Sequence, residues 1–356
     1  MLLPLRIRRP VMPRTARAPY ARPLAGSWSR AGLALALLAL CLLPLLGPAR
    51  LVSVVSLMLI TSIVVVGLQI NTGMAGQINM GAAAFMGVGS YTAAVLSLRL
   101  DCPFWLAIPL GGASAAAFGL LFGITAARIK GFYLAMTTIA AQMMFQSAVL
   151  NLPASWLGSS GGLSIEPARL GAWRLSGDAG VYYLALAYAA FMTFGAYGIA
   201  RSRFGRAFAA VRDDDSAAGP MGIDVAGTKT LAFMVGAFYA GVGGAVWAYS
   251  LRYVAVDQFS LFQSVWFIGM LIVGGMGSIL GALVGVAAVR GVQEVLTSYG
   301  PDLAAMFPGL GNQLVFASVS IVLGAAIAFF LIVEPRGLVH YWYVLRRSFA
   351  AWPLRY

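Results

Sequence analysis

Residues 51–70 read LVSVVSLMLITSIVVVGLQI, a stretch without one charged side chain. As an α-helix rising 1.5 Å per residue, such a run reaches about 30 Å, the thickness of a bilayer's hydrocarbon core. Barrel strands alternate apolar and polar faces, so a continuous run of this kind excludes a closed β-barrel and predicts a spanning helix. Similar runs recur on both sides of it. Spans are expected near 31–47, 51–70, 80–98, 103–127, 132–150, 180–200, 229–250, 262–278, 281–298 and 312–333, ten in all. Composition agrees: 60% of the 356 residues are hydrophobic, 10% are charged, and the mean hydropathy is +0.85. Soluble domains carry roughly a quarter charged residues. The expected class is an all-α, polytopic integral membrane protein of about ten transmembrane helices.

The net charge of +13 follows from orientation rather than from nucleic acid binding. With ten spans both termini share one side, and that side collects 18 of the 24 cations against five on the other. Lys and Arg accumulate on cytoplasmic segments, so both termini are expected in the cytoplasm. Residues 1–30 are expected to form a basic, acid-free, disordered cytoplasmic tail, 31–340 the transmembrane permease domain, and 341–356 a second cytoplasmic tail. Two connections are long: an external loop over 151–179, with Trp156 and Trp173 as interfacial anchors, and a cytoplasmic loop over 201–228.

Enzyme chemistry finds little material. No phosphate-binding Gly-x-x-x-x-Gly-Lys-Ser/Thr loop and no Cys/His metal cluster occurs, and the single histidine, His340, reads as an interfacial residue. Cys41 and Cys102 read as small packing residues, with a disulfide left open. Inside the expected spans the ionisable candidates are Arg290 and Glu294, whose i, i+4 spacing allows them to pair. So few buried charges argue against a proton-coupled carrier. Uncharged polar residues are better represented. Gln69, Asn71, Gln77 and Asn79 cluster with glycines between the second and third spans, and Thr138, Gln142 and Gln146 form a stripe on the fifth. These are the candidate translocation path; the stripe serves equally well for interhelical hydrogen bonds. Glycines 277, 281 and 285, and 119 and 123, are spaced for close helix packing.

The charged island Gly205 to Ile223, GRAFAAVRDDDSAAGPMGI, differs from everything around it. Its acidic run suits a helix N-terminus, and Ser216, Ala217 and Ala218 with Gly222 make a small-residue surface that a soluble subunit can seat.

The island resembles the LivM-type permease of branched-chain amino acid ABC importers, a family that includes related urea and short-chain amide importer permeases. So do Gly73 to Gly81 (GMAGQINMG), Lys130 to Thr138 (KGFYLAMTT), Gly274 to Ser278 (GGMGS) and Glu334 to Leu338 (EPRGL), in family order. The resemblance implies a permease subunit of a bacterial cytoplasmic membrane importer without its own ATPase or catalytic site. It implies two ATP-binding cassette ATPases that use the ATP, a second homologous permease and a periplasmic or extracellular solute-binding protein as partners. It also implies no cofactor or metal on this chain. Arg206, Arg212, Asp213, Ala217, Ala218 and Gly222 would then form the ATPase-coupling loop, and 158–167 the loop facing the binding protein. This sequence departs from the family pattern at Ala82, where relatives carry His or Gln, and at Gly219-Pro220, which interrupts the coupling helix. A stand-alone channel or secondary carrier is the alternative from another class.

Overall fold

Helices dominate because, in lipid, the backbone's N–H and C=O groups have only one another to bond with. The computed structural model describes residues 27–306, apart from Lys130 and scattered positions between 154 and 176, and a few positions from 324 to 339. In chain order the helices are α1 (Ser27–Leu46), α2 (Ala49–Leu68), α3 (Ala82–Leu100), α4 (Phe104–Arg128), α5 (Phe132–Asn151) and α6 (Asp178–Arg201). They continue as α7 (Arg203–Asp213), α8 (Asp215–Ala218), α9 (Val225–Leu251), α10 (Leu261–Gly274) and α11 (Ile279–Met306). Two antiparallel strand pairs, β1 (Leu163–Ser164) with β4 (Tyr253–Val254) and β2 (Arg169–Leu170) with β3 (Trp173–Arg174), lie in the connections.

The all-α polytopic class holds, while the described residues do not confirm the count of ten. Among the described residues seven segments are long and apolar enough to cross a membrane: 49–74, 82–100, 104–128, 178–201, 225–251, 256–274 and 279–298. The expected span at 312–333 lies outside the described residues. α1 and α5 are helices where spans were expected, yet neither is among the seven; in α5 two glutamines and two threonines dilute the apolar character.

Three boundaries differ instructively. α2 does not stop near 70 but runs on as a π-helix over Gln69–Met74, and only then breaks. α10 ends at Gly274 because Gly275 adopts φ 116°, a backbone closed to side chains with a Cβ. That glycine turn makes α10 and α11 two helices, as the sequence suggested. The 201–228 loop, expected to hold one short helix, also holds α7, which buries Gly205, Phe208 and Val211 at i, i+3, i+6.

α9 is the central helix, packed against α4, α3 and α2, while α6 lies on α2 and α11 lies on α10 and α2. Lipid tails are as apolar as leucine, so helices associate by close packing of small residues. A Cβ added to Gly241 of α9 would lie 2.8 Å from the Gly111 carbonyl oxygen of α4. One added to Gly281 of α11 would lie 2.6 Å from the Gly275 carbonyl oxygen. Aromatic rings fill the wider gaps, with Phe85 edge-on to Phe233 at 5.5 Å. Cys41 does not pack inside; it is exposed, and Cys41 and Cys102 are both free thiols.

Candidate functional site

Beside the apolar seat of Phe208 and Val211, two contacts made by charged side chains fasten the 201–228 loop to the helical body. At the end of α7, Arg212 Nη1 donates to the Gly73 carbonyl at 3.0 Å, inside the π-helical end of α2. Its Nη2 pairs with Asp213 at 2.9 Å, and its stem packs over Gly76, where a Cβ would fall 2.8 Å from Arg212 Cγ. Three residues on, Asp215 accepts from Lys229 Nζ of α9 at 2.8 Å, with the two side chains only 18% and 9% exposed. The lysine had counted in the sequence only as an orienting cation.

Between these anchors Asp214 caps α8: its Oδ1 accepts from the Ser216 and Ala217 N–H groups at 2.9 and 3.2 Å. α8 is a single turn. Ala218 is buried and Ala217 exposed, and the chain then turns through Gly219 and Pro220 to Gly222 at φ 83°. Met221 stands at the tip, 84% exposed, an apolar side chain in a polar loop. Sequence reading passed over it. Arg206 reaches only its own neighbourhood, donating to the Arg201 carbonyl at 3.4 Å. A cavity of about 300 Å³ lies between the loop and the body, lined by Arg212 to Asp215 from the loop and by Gly76, Gln77, Gly131 and Lys229 from the body.

The candidate path residues are brought together in the interior, all buried except Gln146, which is partly so. Thr138 Oγ1 accepts from the Met80 N–H at 2.9 Å and donates to the Ala135 carbonyl at 2.8 Å. Gln142 and Gln146 both donate to the Phe259 carbonyl, at 2.5 and 3.2 Å, just ahead of α10. The Ser264 hydroxyl bonds Gln142 at 3.3 Å and accepts from the Ala83 N–H at 2.9 Å, joining α5, α10 and α3. Asn79 Oδ1 accepts from the Gly81 N–H at 2.9 Å. Gln69, with its amide oxygen turned to the α10–α11 turn, accepts from the Gly277 and Ser278 N–H groups, the latter at 2.7 Å. Asn71 and Gln77 differ from the rest: neither amide has a hydrogen-bond partner among the described residues. Leaving a buried polar group unpaired costs about 1–3 kcal/mol, so these two carry the tension of the site.

Arg290 and Glu294 do not pair, contrary to their spacing. Glu294 instead bonds Arg50 at 2.8 Å, and Arg50 also reaches Ser298 at 2.6 Å, which ties the start of α2 to the far half of α11 and makes the two helices antiparallel. Among the described residues, no group of three or more His, Cys, Asp or Glu could hold a metal ion.

Comparison with known proteins gives the same outline. A family profile described as the permease component of the branched-chain amino acid transport system matches residues 50–311. The high-affinity branched-chain amino acid transport system permease protein LivM of Escherichia coli (strain K12) is 27% identical over 283 residues, 73% of this chain and 66% of its own length. LivM of Salmonella typhimurium is 26% identical over the same extent. The chain thus spans just under two thirds of these relatives. The autoinducer 2 import system permease protein LsrC of Enterobacter sp. (strain 638) is 24% identical over 231 residues, 62% of this chain and 67% of its own. No solved structure matches.

Proposed function

The chain belongs to the permease family of branched-chain amino acid transport systems, and from that premise we propose that it is the membrane-spanning subunit of an ATP-binding cassette importer carrying branched-chain amino acids across the bacterial cytoplasmic membrane. The match over residues 50–311 carries this reading, because it covers the described spans and the charged loop together. The subunit works by alternating access, and the ATP is used by separate ATPases. It binds no cofactor and performs no covalent chemistry. Its partners are two ATPase subunits, a second homologous permease and a solute-binding protein outside.

The loop over 201–228 is the ATPase dock. Met221 and Ala217 are its exposed apolar contacts, and Arg206 and Asp213 its charged rim. Arg212 and the Lys229–Asp215 pair pass motion from the dock into α2 and α9. A ligand shifts a conformational equilibrium only by its differential contact with the two states, so a dock must be fastened to a segment that changes. The π-helical end of α2 suits that role: its hydrogen-bond register is uncommon, and π-bulges favour functional sites. Asn71 and Gln77 follow within and just after it, so a change of register would turn their unpaired amides toward the path.

A urea or short-chain amide importer permease is the second reading, favoured by the run Gly131 to Met136 and by Ala141 to Met143. One experiment tests both. The chain is expressed with its neighbouring genes, purified, and assayed for ATP hydrolysis with binding protein plus leucine, valine or urea. Two ATPases, a second permease and stimulation by leucine or valine are expected. Stimulation by urea alone selects the second reading, and a lone homo-oligomer without ATPases overturns both in favour of a channel or carrier.

A further inference from the structure

Arg290 is the charge that the coupling account leaves unused. It lies about 16 Å along α11 from Ile279, and Thr61 lies about 18 Å along α2 from Ala49, at 1.5 Å per residue. The two helices are antiparallel, so in a core about 30 Å thick both residues sit near the middle of the bilayer. There Arg290 as a residue is partly exposed. Nη2 bonds the Thr61 hydroxyl at 3.2 Å, Nη1 bonds Gln293 at 3.4 Å, and Nε is buried without a partner.

All of these contacts are with uncharged groups. Glu294, one turn away, is taken by Arg50, and no other carboxylate pairs with Arg290 among the described residues. Of the chain's 11 acids, the two whose side chains fall outside the description are Asp302, about 18 Å further along α11, and Glu334. An intramembrane cation facing lipid would be expensive, so such residues face a polar interior and pair there. A guanidinium presents its donors in a planar fork that matches a carboxylate.

We propose that Arg290 is the substrate-carboxylate residue of the translocation path, with Thr61 and Gln293 holding its fork in place. The proposal rests on the permease reading and narrows it. A solute bearing a carboxylate neutralises Arg290 at mid-bilayer, whereas a neutral solute such as urea leaves it without a counter-charge.

The test is Arg290→Met in the full complex with its ATPases and binding protein, reconstituted in liposomes. Methionine keeps a comparable length and removes a charge that no described carboxylate compensates, so thermal stability is expected to stay at or above that of the unaltered complex. Leucine uptake per ATP hydrolysed is expected to fall by about tenfold or more, the loss of a charge-assisted bidentate contact, while leucine-loaded binding protein still stimulates hydrolysis. Unchanged uptake per ATP overturns the proposal. So does a complex that falls apart, since that assigns Arg290 to architecture. Failure of the permease reading looks different: the unaltered chain purifies without ATPases. If the unaltered complex imports urea and not leucine, the amino-acid substrate and the carboxylate site fall together.

Discussion

Lys229 and Asp215 form the most buried ion pair among the described residues, at 2.8 Å and with exposures of 9% and 18%. Removing one partner strands the other's charge in a poor solvent, so Lys229→Met is expected to destabilise the subunit by about 3 kcal/mol. Replacing both, Lys229→Met with Asp215→Leu, is expected to restore most of that, because an apolar pair fills the site without a desolvation penalty. Thermal unfolding in detergent of the two variants checks the order. Residues at this scale were half legible. The resemblance pointed to Arg212 and Asp213, but the Gly73 carbonyl that Arg212 reaches is 139 positions away. Likewise the spacing of Arg290 and Glu294 was readable, and Arg50, 244 positions from Glu294, took the carboxylate. Local spacing gives the partners a helix offers to itself; only tertiary packing decides which offer is accepted.

At the scale of elements, the turn between α10 and α11 rests on glycines that let the two helices touch. Gly281→Val puts branched carbon where 2.6 Å separates a Cβ from a carbonyl oxygen, and should cost about 1–3 kcal/mol by overpacking. Gly291→Ala, on the same helix with nothing within 4 Å of the added Cβ, should be close to neutral. Yield of monodisperse protein and melting temperature separate the two. The four-residue spacing of these glycines was visible in the sequence, and so was the apolar period of the spans. The π-helical end of α2 was not, since Gln69 to Met74 look like any loop start once the apolar run ends at Ile70. That segment is where Arg212 is fastened. Arg212→Ala is expected to leave the complex assembled and hydrolysing ATP while uptake per ATP drops about two- to thirtyfold, the range that a coupling energy of about 0.5–2 kcal/mol allows. Equal loss of hydrolysis and uptake would instead make Arg212 part of the dock itself.

For the molecule as a whole, orientation is the property from which every functional assignment hangs. The 201–228 loop can serve as the proposed ATPase dock only if it is cytoplasmic, and the β1–β4 ribbon can meet a binding protein only if it lies on the other face. Among the described residues α6 is the one apolar span between Ser164 and Gly222, so the two positions are expected on opposite sides whatever the total number of helices. Charge then decides which side is which. The 201–228 loop and the residue after it carry Arg201, Arg203, Arg206, Arg212 and Lys229, whereas Arg169, Arg174 and Arg252 are the cations near Ser164 and β4. Lys and Arg are retained on the cytoplasmic side, so Gly222 should face the cytoplasm and Ser164 the outside. Both are exposed, which makes them accessible to a thiol probe once replaced by cysteine in a chain whose Cys41 and Cys102 have been changed to serine. A membrane-impermeant maleimide is expected to label Ser164→Cys in sealed right-side-out vesicles and to label Gly222→Cys only after the vesicles are opened. Reversed labelling would invert the whole assembly, placing the dock where no ATP-driven subunit can reach it, and equal labelling would mean that α6 does not cross the bilayer.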